Sequence, residues 1–197
     1  MSAIEVPARA ECAAPSEPIG LAACFPHAPG PLAAALDGLL ARPFTVADLD
    51  FLCALYVSTR LDELAEVQWS EADKLGFLTQ QFAAQHCYYQ EHYADAQRLL
   101  LLREGRPIGR LYWWADAAAA VLIDVSLLPD ARGQGIGRAL MQLLVGQADR
   151  LGLPITLHVE PTNPAQRLYR RFGFETIAQS GVYDKMRRSP AHEASRP

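Results

Sequence analysis

The sequence predicts a mixed α/β domain: a mostly antiparallel sheet that contains one parallel strand pair and is flanked by helices. Three observations carry that prediction. The segment Val121 to Leu151 reads as a strand, a glycine-rich turn and an amphipathic helix. A second strand-like run, Ile155 to Glu160 (ITLHVE), follows that helix, so the helix is a crossover and the two strands run parallel. Upstream, Gln97 to Arg103, the turn Glu104 to Pro107 and Ile108 to Trp114 form a hairpin. Only the short break Ala115 to Ala120 separates it from the strand at Val121, too little for a crossover, so these three strands are antiparallel.

In chain order, residues 1–41 are rich in Ala and Pro and read as a flexible or loosely packed extension, with a short helix over Pro31 to Leu40. A first strand is expected near Arg42 to Thr45. Thr45 and Asp48 then make a capping-box start for a helix whose apolar face is Leu49, Leu52, Cys53, Tyr56 and Val57. Ser70 and Asp73 open a longer helix with the stripe Leu75, Leu78, Phe82, His86, Tyr89 and Tyr93. After the hairpin and the parallel pair, Phe174 to Ile177 and Val182 to Met186 finish the sheet. The folded domain is thus placed at residues 42–188, with 189–197 a disordered tail.

At 197 residues, 50% hydrophobic and 20% charged, the chain has enough apolar material for one good core. A net charge of −4 and a pI near 5.7 give no basic field for nucleic acid. The basic residues Arg167, Arg170, Arg171, Lys185, Arg187 and Arg188 gather near the end, where they suit phosphates of a small ligand or solvent. Cys12, Cys24, Cys53 and Cys87 form no C-x-x-C pair, which predicts free thiols, no metal site and a reducing compartment. No stretch has the length of a membrane span, and the first residues lack a secretory pattern, so the expected location is the cytoplasm.

The glycines carry the chemistry. Gly133, Gly135 and Gly137 strip side chains from the loop, so the backbone N–H groups of residues 133 to 138 converge on an anion at the start of a helix whose macrodipole also attracts it. The dinucleotide fingerprint G-x-G-x-x-G fails here, because Gly133 and Gly135 lead to Arg138 and Gly135 and Gly137 lead to Leu140. A G-x-x-x-x-G-K-[ST] loop fails too, since Arg138 and Ala139 occupy its Lys and hydroxyl positions. What Arg132-Gly133-Gln134-Gly135-Ile136-Gly137 resembles is the R/Q-x-x-G-x-G/A signature of the GNAT superfamily of N-acetyltransferases, which cradles the pyrophosphate of acetyl-CoA.

A second block strengthens the resemblance. Asn163 is a natural N-cap, Pro164 suits the first helical position, and Gly173 stops a short helix near Phe172. Asn163, Pro164, Ala165, Leu168, Tyr169, Phe172, Gly173 and Phe174 are similar to the family's N-x-x-A-x-x-L-Y-x-x-x-G-F segment. The resemblance spans about Val121 to Met186 and implies that the parallel pair splays apart to admit acetyl-CoA. It implies donor contacts from Leu127, Leu128, Arg132, Gly133, Gln134, Gly135, Ile136, Gly137, Arg138, Asn163, Ala165 and Tyr169. Among these, the Leu127 N–H would bond the acetyl oxygen, and the Tyr169 hydroxyl would protonate the CoA sulfur.

For the base, the resembled ribosomal-protein alanine acetyltransferases carry a Glu five residues before the motif Asn, and His158 stands there in this chain. Glu160 shares its strand face and is a candidate partner or base in its own right, and Asp124 is a third candidate. The implied activity is an acyltransferase moving acetyl from acetyl-CoA to a primary amine of a small molecule or peptide by direct transfer. Candidate acceptor contacts are Trp69, Phe77, His86, Tyr88, Tyr89, His92, Tyr93 and Tyr183, with Asp62, Glu63, Glu66 and Glu91 for a cationic amine. One alternative is a non-catalytic acyl-CoA sensing module, against which Tyr169 argues. Another is a dinucleotide oxidoreductase using Glu160 as its ribose acid, against which the glycine register argues. A homodimer is compatible with the sequence, but no residue marks an interface.

Overall fold

A computed structural model describes residues 16–28 and 36–191. The sheet has eight strands: β1 (Ile19–Gly20), β2 (Leu39–Pro43), β3 (Gln97–Arg103), β4 (Arg106–Ala115), β5 (Ala120–Leu127), β6 (Ile155–Val159), β7 (Glu175–Ser180) and β8 (Tyr183–Arg188), in the order β1-β2-β3-β4-β5-β6-β8-β7. Every pairing is antiparallel except β5 with β6. Helices α1 (Leu49–Arg60) and α2 (Glu71–His92) cover one face; α3 (Ile136–Leu151) and α4 (Ala165–Arg171) cover the other.

The β3–β4 hairpin turns on Glu104 and Gly105, at φ 50° and 75°. Positive φ at both central residues gives the turn a twist that matches the flanking strands. Ser70 caps α2, its Oγ accepting the Asp73 N–H at 3.1 Å. The buried stripe of α2 is Lys74, Leu78, Phe82 and His86; Leu75, expected on it, is 52% exposed. The four-residue step from 74 to 86 follows one face, and the alkyl stem of Lys74 covers apolar surface while its amine reaches Glu71 at 3.3 Å.

Two larger differences lie at the N-terminal side. The strand expected near Arg42 to Thr45 is β2, Leu39–Pro43, and its Leu39 and Leu40 replace the end of the expected short helix, whose first half lies outside the described residues. Residues read as a loose extension supply Leu21, Phe25, Leu36, Leu39 and Ala41 to the main core. Phe25 meets Trp113 edge-on at 6.4 Å, and the His27 N–H bonds Gln147 of α3 at 2.8 Å. Prolines interrupt any period in this segment, so isolated apolar anchors do the packing that a periodic helix would do elsewhere.

The ends of α3, α4 and β8 are tied together. Arg188 donates to both carboxylate oxygens of Asp149, at 2.6 and 2.9 Å, and to the Phe172 carbonyl at 2.8 Å. The Ala191 N–H adds a further bond to Asp149 at 2.8 Å, so the expected tail is attached at its start. Burial pushes the Asp149 carboxyl up, but the Arg188 and Ala191 bonds and the guanidinium charge outweigh it and leave the group below its ordinary range. A depressed carboxylate stabilises the fold above its unfolded pKa of about 3.9 and loses that contribution as pH falls through the folded value. Asp149→Asn is therefore expected to cost about 2 kcal/mol at neutral pH. Urea titrations at pH 7 and at acid pH check it: the deficit of the variant should shrink in acid.

Candidate active site

The glycine loop joins β5 to α3. Gly133 and Gly135 sit at φ 72° and 81°, in the left-handed region that a side chain resists, and Gly135 caps α3. A Cβ at Gly133 would meet nothing within 4 Å, so the loop is open to solvent there. Ala139 donates to the Gly135 carbonyl at 3.0 Å, and the N–H groups of residues 133–138 find no acceptor among the described residues. Amides left without a partner at a helix start have the chemistry that suits an anion. Side chains brace the loop from outside. Arg132 Nε donates to the Leu127 carbonyl at 2.9 Å, and Gln134 donates to the Asp130 carbonyl at 2.6 Å while accepting from Arg103 at 2.8 Å. Arg138 is exposed on the first turn of α3.

Beside this loop the sheet splits. β5 and β6 pair only through Ala120–Ile155, Val121–Thr156 and Leu122–Leu157, and then diverge. Ile123 is a bulge, two residues of β5 facing one step of β4, because the register passes from Tyr112–Asp124 to Trp113–Leu122. The bulge puts Leu122, Val125 and Leu127 toward α3, and Asp124 toward α2. Gly109 makes this possible: a Cβ there would lie 2.7 Å from Leu127 Cδ2. The Leu128 N–H bonds the Ile108 carbonyl on β4 at 2.9 Å. Backbone alternation therefore turns the Leu127 N–H into the cleft.

Tyr169 of α4 is 7% exposed and lies 5.9 Å from the Phe174 ring. Burial, helped by the Asp124 charge, pushes its phenol up to about 12. The helix start is set by Asn163, whose Oδ1 accepts the Ala165 N–H at 2.9 Å and whose carbonyl accepts from the Gln166 N–H at 3.1 Å. One residue separates Asn163 from Ala165 where the resembled segment has two, so this turn is shorter by one. Buried Gln166 closes it, donating to the Glu160 carbonyl at 3.1 Å and to Asp184 of β8 at 2.9 Å.

The three carboxylate and imidazole candidates have different surroundings. His158 is exposed on β6, one residue past the last β5 pairing and opposite Lys185, and partial burial and the Lys185 charge lower its pKa. Glu160 does not partner His158. It forms an ion pair with Arg60 at the end of α1, which also reaches Glu63 at 3.0 Å. Asp124 is held by Arg110, Nε at 3.1 Å and Nη2 at 2.8 Å, and by the Ser126 hydroxyl at 2.8 Å.

Of the predicted acceptor aromatics, Tyr89 reaches the interior, packing edge-on against Tyr112 at 6.0 Å. Burial and then the Asp124 charge drive its phenol far above the ordinary range. His86 is core, between Phe44 and Phe82 at 5.6 Å from each ring. At the surface, Trp69 meets Phe77 edge-on and Tyr88 stacks on His92. Tyr183 starts β8, beside the cleft end of β6. Asp62, Glu66 and Glu91 are exposed, and Glu63 alone of the expected acids joins the Arg60 cluster. Arg60 and Arg110 were not among the expected site residues. Arg110 has a sequence signal, as the lone charge between Pro107 and Ala115.

The arrangement is a mixed α/β sheet that parts along its parallel pair, with amides lacking an acceptor among the described residues on the loop after β5 and a buried tyrosine on α4. The chain belongs to the acetyltransferase (GNAT) family, whose model matches residues 59–174, more than half of its length, and it is an acyltransferase by that membership. The fold is also that of the PaiA N-acetyltransferase from Thermoplasma acidophilum, solved in complex with coenzyme A: 17% identity, TM-score 0.58, 77% of this chain and 98% of that one covered. An acetyltransferase from Thermus thermophilus is similar, at 20% identity and TM-score 0.55 over 77% of this chain and 96% of that one. So is the ribosomal-protein-S18-alanine N-acetyltransferase from Escherichia coli, at 19% identity and TM-score 0.50, covering 80% and 99%. No curated protein matches by sequence. Among the described residues, no helix is long and apolar enough to cross a membrane.

Proposed function

We propose that the chain transfers the acetyl group of acetyl-CoA directly to a primary amine of a small molecule or peptide. The observation that carries this reading is the parting of β5 and β6 after Leu122 and Leu157, between the open amides of residues 133–138 and the buried Tyr169. The amides, with Arg132 and Arg138, suit the pyrophosphate, and Asn163 and Ala165 flank the path of the CoA arm. The Leu127 N–H stabilises charge on the acetyl oxygen as the C–N bond forms. Tyr169 gives its proton to the sulfur as the C–S bond breaks; its raised pKa keeps that proton in place until then.

His158 takes the proton of the incoming amine. Unlike Glu160 and Asp124 it is not occupied by an arginine, and its lowered pKa keeps it neutral at physiological pH. The reacting form is the neutral ring, so the rate should fall as pH drops through a value below the usual one of about 6.5. His158→Gln is expected to lower kcat/KM about tenfold at neutral pH and to remove that acid limb. A pH–rate profile of both proteins checks it.

The test of the activity itself is thiol release from acetyl-CoA across amines, amino acids, aminoglycosides and N-terminal peptides, with CoA binding measured by calorimetry. Acceptor-dependent release supports the transferase. CoA binding without release for any acceptor would overturn it in favour of a sensing module.

A further inference from the structure

Arg110 is the most deeply buried charge among the described residues, 2% exposed, on β4 in the middle of the sheet. Its guanidinium spans three elements. It forks onto both oxygens of Asp124 on β5, and its Nη2 also reaches Gln85 Oε1 of α2 at 2.8 Å. Asp124 in turn receives the Ser126 hydroxyl, so the cluster grips β5 at two alternate residues immediately after the Ile123 bulge. That stretch of β5 has lost β6 as a neighbour and has β4 as its remaining strand partner.

A buried ion pair is a poor device for stability alone, since apolar side chains of similar volume hold strands together as well or better. Its directional bonds fix lateral position, which apolar contacts do not. Resting on the transferase reading above, we propose that Arg110 is a positioning residue: through Asp124 and Ser126 it fixes the β5 wall of the cleft and hence the Leu127 N–H that faces the acetyl oxygen, with Gln85 linking that wall to α2. The loop of residues 133–138 lies beyond Leu127 and is braced by Gln134 to the Asp130 carbonyl and by Arg132 to the Leu127 carbonyl, bonds in which Arg110 takes no part. Loss of Arg110 should therefore act on turnover and leave donor affinity nearly unchanged.

Arg110→Met alone would leave Asp124 buried without its partner, so two other variants make the test. The double variant Arg110→Met/Asp124→Leu replaces the pair by apolar groups, and Arg110→Lys keeps a positive charge and the Asp124 carboxylate but loses the fork. For each, melting temperature, CoA affinity by calorimetry, kcat, and hydrogen exchange over residues 123–128 are measured. Both are expected to stay folded and to bind CoA within about threefold of wild type, with kcat down about 30-fold, the scale of a small misplacement of reacting groups. Exchange over 123–128 should quicken about tenfold while residues 97–103 stay protected. A loss of kcat in Arg110→Lys cannot come from removing a carboxylate base, because Asp124 is still present. Wild-type exchange over 123–128 in both folded variants would overturn the proposal, as would wild-type kcat. If the wild-type protein releases no thiol with any acceptor, the transferase reading fails by itself, and the exchange measurement still decides whether Arg110 holds the wall.

Discussion

Replacing Tyr169 by Phe is expected to lower acceptor-dependent thiol release about 10³-fold while CoA affinity stays within about threefold. The reasons are geometric. The ring packs against Phe174 in the core of the α3 face, so Phe keeps the packing and removes only the hydroxyl. That hydroxyl has no hydrogen-bond partner among the described residues, so its deletion strands no other group and the melting temperature should hold. A departing thiolate needs a proton from within reach, and burial pushes the Tyr169 phenol up to about 12, so it holds its proton at neutral pH. Steady-state kinetics at saturating acetyl-CoA measure the fall. A variant that kept wild-type kcat would remove Tyr169 from the chemistry.

The second large effect is on donor binding. Gly135→Val should weaken CoA binding about 100-fold or more, by two physical routes. At φ 81° a β-branched side chain is strained by about 1 to 3 kcal/mol, which the loop relieves by moving. Moving it turns the N–H groups of residues 133–138 away from a common point, and each charge-assisted bond lost to a phosphate is worth about 1.5 to 3 kcal/mol. At about 1.4 kcal/mol per tenfold, the loss of one bond together with the strain accounts for the expected change. Titration calorimetry with CoA, set beside a melting curve to show that α3 still forms, is the measurement. Retained affinity would mean that the cradle is not where the donor sits.

The glycine loop also explains why the local geometry of the proposed donor side is legible in the amino-acid sequence. Positive-φ glycines, a cap and an amphipathic run are local features, and their spacing along the chain maps directly onto backbone geometry. The same holds for Asn163, whose side chain accepts the first N–H of α4, and for Gly173, which ends that helix at φ 82°. The acceptor side is less legible. His158 and Glu160 alternate correctly on one strand face, yet Glu160 turns to Arg60, a residue 100 positions earlier in the chain. Tyr88 and Tyr89 are neighbours in sequence, but helix rotation sends one to the surface and the other to Tyr112 and the Asp124 charge. Leu75 and Lys74 exchange places for the same reason, since a one-residue shift turns a side chain by about 100° around the axis.

The order and type of the main elements, the single parallel crossover, the glycine loop and the position of Tyr169 on a short capped helix are all written along the chain, because each follows from periodicity, capping or turn chemistry within a few residues. Three features were settled by long-range contacts instead. Residues 16–28 and 36–41 join the core, the parallel pair opens just past Leu122 and Leu157, and two arginines occupy two of the three candidate bases. Those outcomes depend on which distant side chains meet across the sheet, a matter of packing and charge pairing that no local pattern encodes.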